Sequence, residues 1–186
     1  MRTLRNRALL AVAYDSLCRA SEVVALRVED IEADPHDGSA VIAIGRSKTD
    51  QEGEGMVRYL ARDTMGHVSA WLKAADITQG WLFRAVLKGG VVEDRPLHVN
   101  EITRLFREVA PHAGRISAHS TRVGAAVDMV EAGVDLGGIM LAGGWKSPTM
   151  VSRYSQASDA RRAGAAKLAA LQKREPARPG LIRAAD

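Results

Sequence analysis

Ser39-Ala-Val-Ile-Ala-Ile-Gly-Arg-Ser-Lys-Thr-Asp-Gln-Glu-Gly-Glu-Gly-Met-Val-Arg-Tyr-Leu60 holds two strand-like runs around a polar centre. Ser39–Ile44 is a compact β-like run and Met56–Leu60 is a second, alternating one. Between them Gly45–Gly55 is polar and contains glycine, so the whole predicts a β-hairpin with a long exposed tip. The turn-rich segment Asp34-Pro-His-Asp-Gly38 leads into it.

Outside this hairpin the pattern is helical. Leu4–Leu17 is apolar around most of its circumference and reads as a buried helix, followed by a short one over Ala20–Leu26. Asp63 or Thr64 caps a helix running to Ala75. Trp81–Val92, with Gly89-Gly90, is open between a loop and a short extra strand. Asn100 caps a one-sided helix carrying Ile102, Leu105, Phe106 and Val109, which Pro111 and Gly114 end. Ser117 caps the next, which reaches Glu131 and stops at Gly133. A short helix over Leu136–Leu141 ends at Gly143-Gly144, and Ser147-Pro148 starts a helix carrying Tyr154. The last helix spans Asp159–Lys173, and the tail 175–186, with Pro176, Pro179 and Gly180, is expected to be disordered. The fold class is therefore mainly α with a small antiparallel β-sheet (α+β), in one domain over 1–174.

A chain of 186 residues suffices for one well-cored domain. Its 46% apolar and 26% charged residues are those of an ordinary globular protein, and no apolar run reaches the roughly 20 residues that cross a bilayer. The basic start lacks a cleavage site of small residues. Cys18 is the single cysteine, which excludes an internal disulfide framework and fits a reducing cytoplasm. The net charge of +4 and pI of about 9.5 lean mildly toward nucleic acid and decide nothing alone.

Taken singly, the notable polar residues have ordinary explanations. Arg19 and Glu22 are spaced as a surface ion pair on a helix, His119 and Arg122 share one helical face, Trp145 anchors packing and Tyr154 is half-buried structure. Taken together, two arginines, a histidine, an indole N–H, the lysine Lys48 and a tyrosine suit one anion, a phosphodiester in transition. Arginine offers a planar fork to phosphate oxygens, histidine and indole add directional donors, and a tyrosine can attack phosphorus once it loses its proton.

Leu17-Cys-Arg-Ala-Ser-Glu-Val-Val-Ala-Leu26 resembles the first-arginine motif of the tyrosine recombinase (phage integrase) family. Gly45-Arg-Ser-Lys-Thr49 is similar to its hairpin lysine motif, Ala118-His-Ser-Thr-Arg-Val-Gly-Ala-Ala126 to its His-x-x-Arg motif, and Ala142-Gly-Gly-Trp145, nine residues before Tyr154, to its closing motif. Tryptophan stands where much of the family has histidine. The resemblance covers about Leu4 to Leu171, with the motifs in order.

The resemblance implies a catalytic domain that performs site-specific DNA recombination through a 3′-phosphotyrosine. Tyr154 is then the nucleophile, Arg19 and Arg122 grip the non-bridging oxygens, and His119 and Trp145 donate to the same centre. Lys48 is the general acid for the 5′-oxygen, and Glu22 orients the set from behind. No cofactor or metal is implied. The implied partners are double-stranded DNA and further protomers in a tetrameric synapse, joined through the C-terminal helix 159–173 or, alternatively, with that helix packed on its own domain. Arg46, Arg104, Arg107 and Arg115 are candidate phosphate contacts or simply a solvated face. Members normally carry a helical core-binding domain ahead of this region, absent from this chain, so an excised or truncated form is expected. A silent DNA-binding module of the same fold and a tyrosine-type DNA-relaxing enzyme stay open as alternatives.

Overall fold

The computed structural model describes residues 1–45, 55–111, 116–117, 119–153 and 164–173. Helix α1 (Arg2–Asp15) packs lengthwise on α3 (Arg62–Ala75), burying Ala8, Leu9 and Val12 on one side and Val68 and Trp71 on the other. The Trp71 indole N–H donates to the Leu82 carbonyl at 2.8 Å, so this large buried ring leaves no polar group unpaired. The short α2 (Ala20–Ala25) and a 3-10 turn at Val28–Asp30 lead to β1 (Ile31–Ala33).

The hairpin is formed as expected. Strands β2 (Ala40–Ile44) and β3 (Met56–Leu60) pair antiparallel from Ala40 opposite Leu60 to Ile44 opposite Met56. Strand β1, which the sequence reading did not foresee, adds to β2 to complete a three-stranded sheet. Trp81–Val92 resolves into a second hairpin, β4 (Arg84–Val86) with β5 (Val92–Pro96), turning through Gly90 at positive φ.

Three capping assignments are corrected, one of them at the helix reaching Glu131, whose N-cap is His119 rather than Ser117. Helix α3 starts after Ala61, before either Asp63 or Thr64 could cap it, and no side chain caps it locally. The carboxylate of Asp15, distant in sequence, takes up the Ala61 N–H at 2.8 Å instead. Helix α4 (Val99–Val109) starts one residue before Asn100: the His98 imidazole accepts from the Asn100 N–H, and Glu101 reaches back to the His98 N–H. The chain then forms α5 (Ser120–Glu131), α6 (Leu136–Gly143), α7 (148–153) and α8 (Gly164–Leu171). The expected tail 175–186 and the first residues of the last helix, 159–163, lie outside the described residues.

Buried side chains form two clusters. The larger joins α1 to the sheet, α3 and α4; the smaller gathers Leu17, from the turn after α1, with Ala125, Ala126, Val130, Ile139 and Val151 from α5, α6 and α7. The candidate site lies where they meet.

Candidate active site

Helix α1 stops at Asp15, and the chain reverses through Leu17, a fully buried residue at φ +51°. A leucine in the left-handed region is strained, and here the burial of its side chain holds it. The turn delivers Arg19 to the start of α2 in an extended conformation. Glu22 then serves two groups of that residue. One carboxylate oxygen accepts from the Arg19 backbone N–H at 2.7 Å, and the other from its guanidinium Nη1 at 2.6 Å. The Glu22 side chain is 9% exposed and that of Arg19 35%, so Glu22 anchors from below while the arginine keeps a face toward solvent. The pair is a fixed, half-buried device rather than a loose surface ion pair.

Arg122 is held from three directions. On α5 and nearly buried, it donates Nη1–H to the Leu17 carbonyl and Nη2–H to the Gly143 carbonyl, the latter at 2.7 Å. Its guanidinium also stacks on the Trp145 ring, 4.4 Å from the centroid. Three of its five N–H donors are not taken by these carbonyls.

Trp145 follows a left-handed Gly144 that closes α6, with the Trp145 N–H returning to the Met140 carbonyl at 2.9 Å. The turn requires both glycines. A Cβ on Gly143 would overlap the Trp145 ring, and one on Gly144 would overlap Nη2 of Arg58 and come within 2.7 Å of Met56 Sδ.

Arg58 is the residue that sequence reasoning missed. In β3 the burial alternates so that Arg58 and Leu60 face inward, and Arg58 sits opposite the buried Ile42. Its Nη1 donates to the Leu141 carbonyl at 3.1 Å. The available signal was the period-2 alternation itself, which puts a cation in phase with Met56 and Leu60.

The charges acting on Arg122 include those of Arg19, Arg58 and Glu22, so three guanidiniums face one carboxylate among these four residues. Burial, reinforced by the neighbouring Arg19, lowers the proton affinity of Arg122; burial does the same to Arg58. Such a surplus of positive charge is stabilised by an anion and by few other ligands.

The structure thus brings Arg122 and Trp145 into direct contact, joins Arg19 to Glu22 and sets the two pairs within electrostatic reach of each other. His119 is exposed and occupies the N-cap of α5, just outside the helix expected to carry it, with Ser117 Oγ accepting its backbone N–H at 3.2 Å. Lys48, on the hairpin tip beyond the Ile44–Met56 pair, and Tyr154, immediately after the described part of α7, lie outside the described residues. So do Arg46 and Arg115. Arg104 is exposed and held by Glu101 and Glu108, each at 3.6 Å, which fits a solvated face.

The class of protein follows from a mainly helical fold with small antiparallel sheets and a cluster of arginines beside the Trp145 ring. The sequence model of the phage integrase family matches residues 1–161, and the chain belongs to that family. It is 36% identical over 168 residues to the recombinase Cre of Escherichia phage P1, a match covering 81% of this chain and 49% of Cre. It is 28% identical over 161 residues to an integrase/recombinase XerD homolog of Selenomonas ruminantium, covering 81% of this chain and 47% of that one. The chain therefore spans about half the length of the curated relatives it matches. Among solved structures, the XerH site-specific recombinase bound to its difH substrate superposes with a TM-score of 0.65 at 17% identity, over 92% of this chain and 48% of that one. This likeness bears on the fold.

Proposed function

We propose that this chain is the catalytic domain, over 1–174, of a site-specific recombinase that cleaves and rejoins DNA strands through a 3′-phosphotyrosine. The observation that carries the reading is the buried Arg122, fixed by two carbonyls and the Trp145 ring in a region where arginines outnumber carboxylates. A scissile phosphodiester supplies the missing anion. Family membership supports the reaction, and the similar fold of the Tn1549 transposon integrase, solved in complex with transposon right end DNA, supports DNA as the ligand.

In this mechanism the Tyr154 oxygen attacks phosphorus, the bond to the 5′-oxygen breaks, and that oxygen takes a proton from Lys48. Arg19 and Arg122 neutralise charge growing on the non-bridging oxygens, and the Trp145 N–H adds a neutral donor. His119 accepts the tyrosine proton or donates to the phosphate. Glu22 acts through Arg19, whose side chain it holds at 2.6 Å. The 5′-hydroxyl of another strand then attacks the phosphotyrosine and releases the enzyme. One phosphodiester is exchanged for another, so the balance closes without ATP.

The partners on this reading are further protomers, assembled four to a synapse through helix 159–173. Leu168 and Leu171 on α8 are 49% and 81% exposed, which favours burial against a neighbour over packing on the same domain.

A pool of nicked duplexes that lose a short 5′ fragment on cleavage traps the adduct, and sequencing the trapped DNA reports the target site. The wild-type chain should become covalently joined to DNA, while Tyr154→Phe should form no adduct and keep its DNA affinity to within about three-fold, since the hydroxyl acts on the transition state rather than on binding. A Tyr154→Phe variant that still forms the adduct, or a wild-type chain that binds without ever forming one, would sink the proposal.

A further inference from the structure

We propose that Arg58 is a positioning residue for this strand-transfer site: it clamps the Gly143-Gly144-Trp145 turn to the hairpin strand β3 and adds positive charge behind the phosphate. The inference rests on the recombinase reading above and extends it to a residue outside the family motifs recognised in the sequence.

The position calls for an apolar residue. Arg58 is 6% exposed, lies opposite Ile42 and alternates with Leu60 on the buried side of the sheet. A leucine or methionine there would avoid the cost of stripping water from a guanidinium, and replacing buried charges by apolar groups is often neutral or stabilising. No carboxylate pairs with Arg58 directly among the described residues. Its Nε–H is buried with no acceptor among them either, so the cation is incompletely satisfied in a region it shares with Arg19 and Arg122. Burying like charges together without a full set of acceptors disfavours the empty fold, and an arriving phosphate reverses the sign of that cost.

The contacts of Arg58 say what it holds. Nη1 donates to the Leu141 carbonyl, at the C-terminal end of α6, while Nη2 lies 3.3 Å from Met56 Sδ and fills the space a Gly144 side chain would need. Arg122 grips the next carbonyl but one, that of the buried Gly143. Two guanidiniums, one from β3 and one from α5, thus cap the negative end of one helix and fix the turn that presents Trp145. Since β3 is also one leg of the hairpin carrying Lys48, Arg58 ties the indole donor to the base of the lysine loop.

The test compares single-turnover adduct formation by wild type, Arg58→Met and Arg58→Lys on two nicked duplexes. One has an ordinary scissile phosphate and the other a neutral methylphosphonate. On the ordinary duplex Arg58→Met should slow the adduct by about 30-fold or more while duplex binding changes less than about three-fold, as expected when charge stabilisation of the transition state is lost. On the neutral linkage, where less charge needs stabilising, the deficit should shrink below about three-fold. Arg58→Lys, which keeps the charge and one donor for Leu141, should fall between wild type and Arg58→Met on the ordinary duplex and match wild type on the neutral one. Equal deficits on the two linkages would reduce Arg58 to a structural strut, and wild-type rates in Arg58→Met would remove it from the reaction. If Arg58→Met does not fold, the Arg58→Lys comparison decides alone by the same criterion. Absence of any adduct with the wild-type chain would instead strike the recombinase reading itself, a result distinguishable from failure at Arg58.

Discussion

A guanidinium taken out of water keeps its charge only where fixed acceptors replace the lost hydration. Arg122 meets that requirement with the Leu17 and Gly143 carbonyls and a ring face. Cys18, one residue from Arg19, answers to the same surroundings differently. Burial, with the nearby Glu22 charge, pushes its thiol up to about 11 from 9.0, against the opposing pull of the Ser16 hydrogen bond and of Arg58 and Arg122. A thiol held protonated in the folded state favours folding fully below its unfolded pKa, and that contribution fades as pH rises through the folded value. Between pH 9 and 11 the wild-type unfolding free energy should therefore fall about 2 kcal/mol further than that of Cys18→Ala. Urea unfolding across this range checks it, and parallel pH curves for the two proteins would refute it. At neutral pH the same burial predicts a thiol inert to alkylation until the chain unfolds.

At the scale of elements, the α6–Trp145 turn carries the densest set of constraints. Gly144 adopts φ +62°, and the space beside it belongs to Arg58 and Met56. Gly144→Ala should cost about 1–2 kcal/mol from the left-handed conformation alone, with the displacement of Arg58 added. Because the turn aims Trp145, adduct formation should drop by a larger factor than stability does. Gly66→Ala is the control: Gly66 lies exposed in α3 with nothing within 4 Å of a Cβ, and the change should stabilise by about 0.5–1 kcal/mol. A Gly144→Ala protein cleaving at the wild-type rate would show that the turn does not govern the indole. The elements themselves were largely legible. The β-like run Ser39–Ile44 and the alternating run Met56–Leu60, separated by a polar glycine-containing stretch, pointed to a hairpin, and the periodicity of Ile102, Leu105 and Phe106 to a helix. Where reading went astray, the partner was not a local side chain of the usual kind. The Ala61 N–H is taken by Asp15 from 46 residues away, an imidazole caps α4, and β1 is three residues whose pairing with β2 creates the strand. In the site, Arg19, Arg122 and Trp145 could be singled out because their residue types suit a phosphate, and Glu22 through the motif it shares with Arg19; the structure places the four as two linked pairs. Arg58 escaped because a charged residue in a strand reads as surface until the phase of its neighbours is followed inward.

Over the whole molecule, what matters is how little of α8 the rest of the described chain covers. A chain of ordinary composition, with a net charge of +4, gains nothing in solubility from two uncovered leucines on α8. If the proposed synapse forms, burying Leu171 against a neighbouring protomer would contribute up to about 1.5–3 kcal/mol, and the half-covered Leu168 about half as much. Leu168→Ser with Leu171→Ser should accordingly weaken multi-protomer assembly on trapped DNA by at least about 10-fold, the loss of one well-buried apolar side chain being enough for that factor. Adduct formation by a single protomer on a nicked half-site should be unaffected, because neither residue contributes to the two buried clusters. The competing arrangement, with the helix folded back on its own domain, makes the opposite forecast. There the double variant would lower the unfolding midpoint and leave assembly unchanged. Sedimentation on DNA alongside thermal unfolding separates the two, because an interface residue and a core residue cannot both be silent in the monomer.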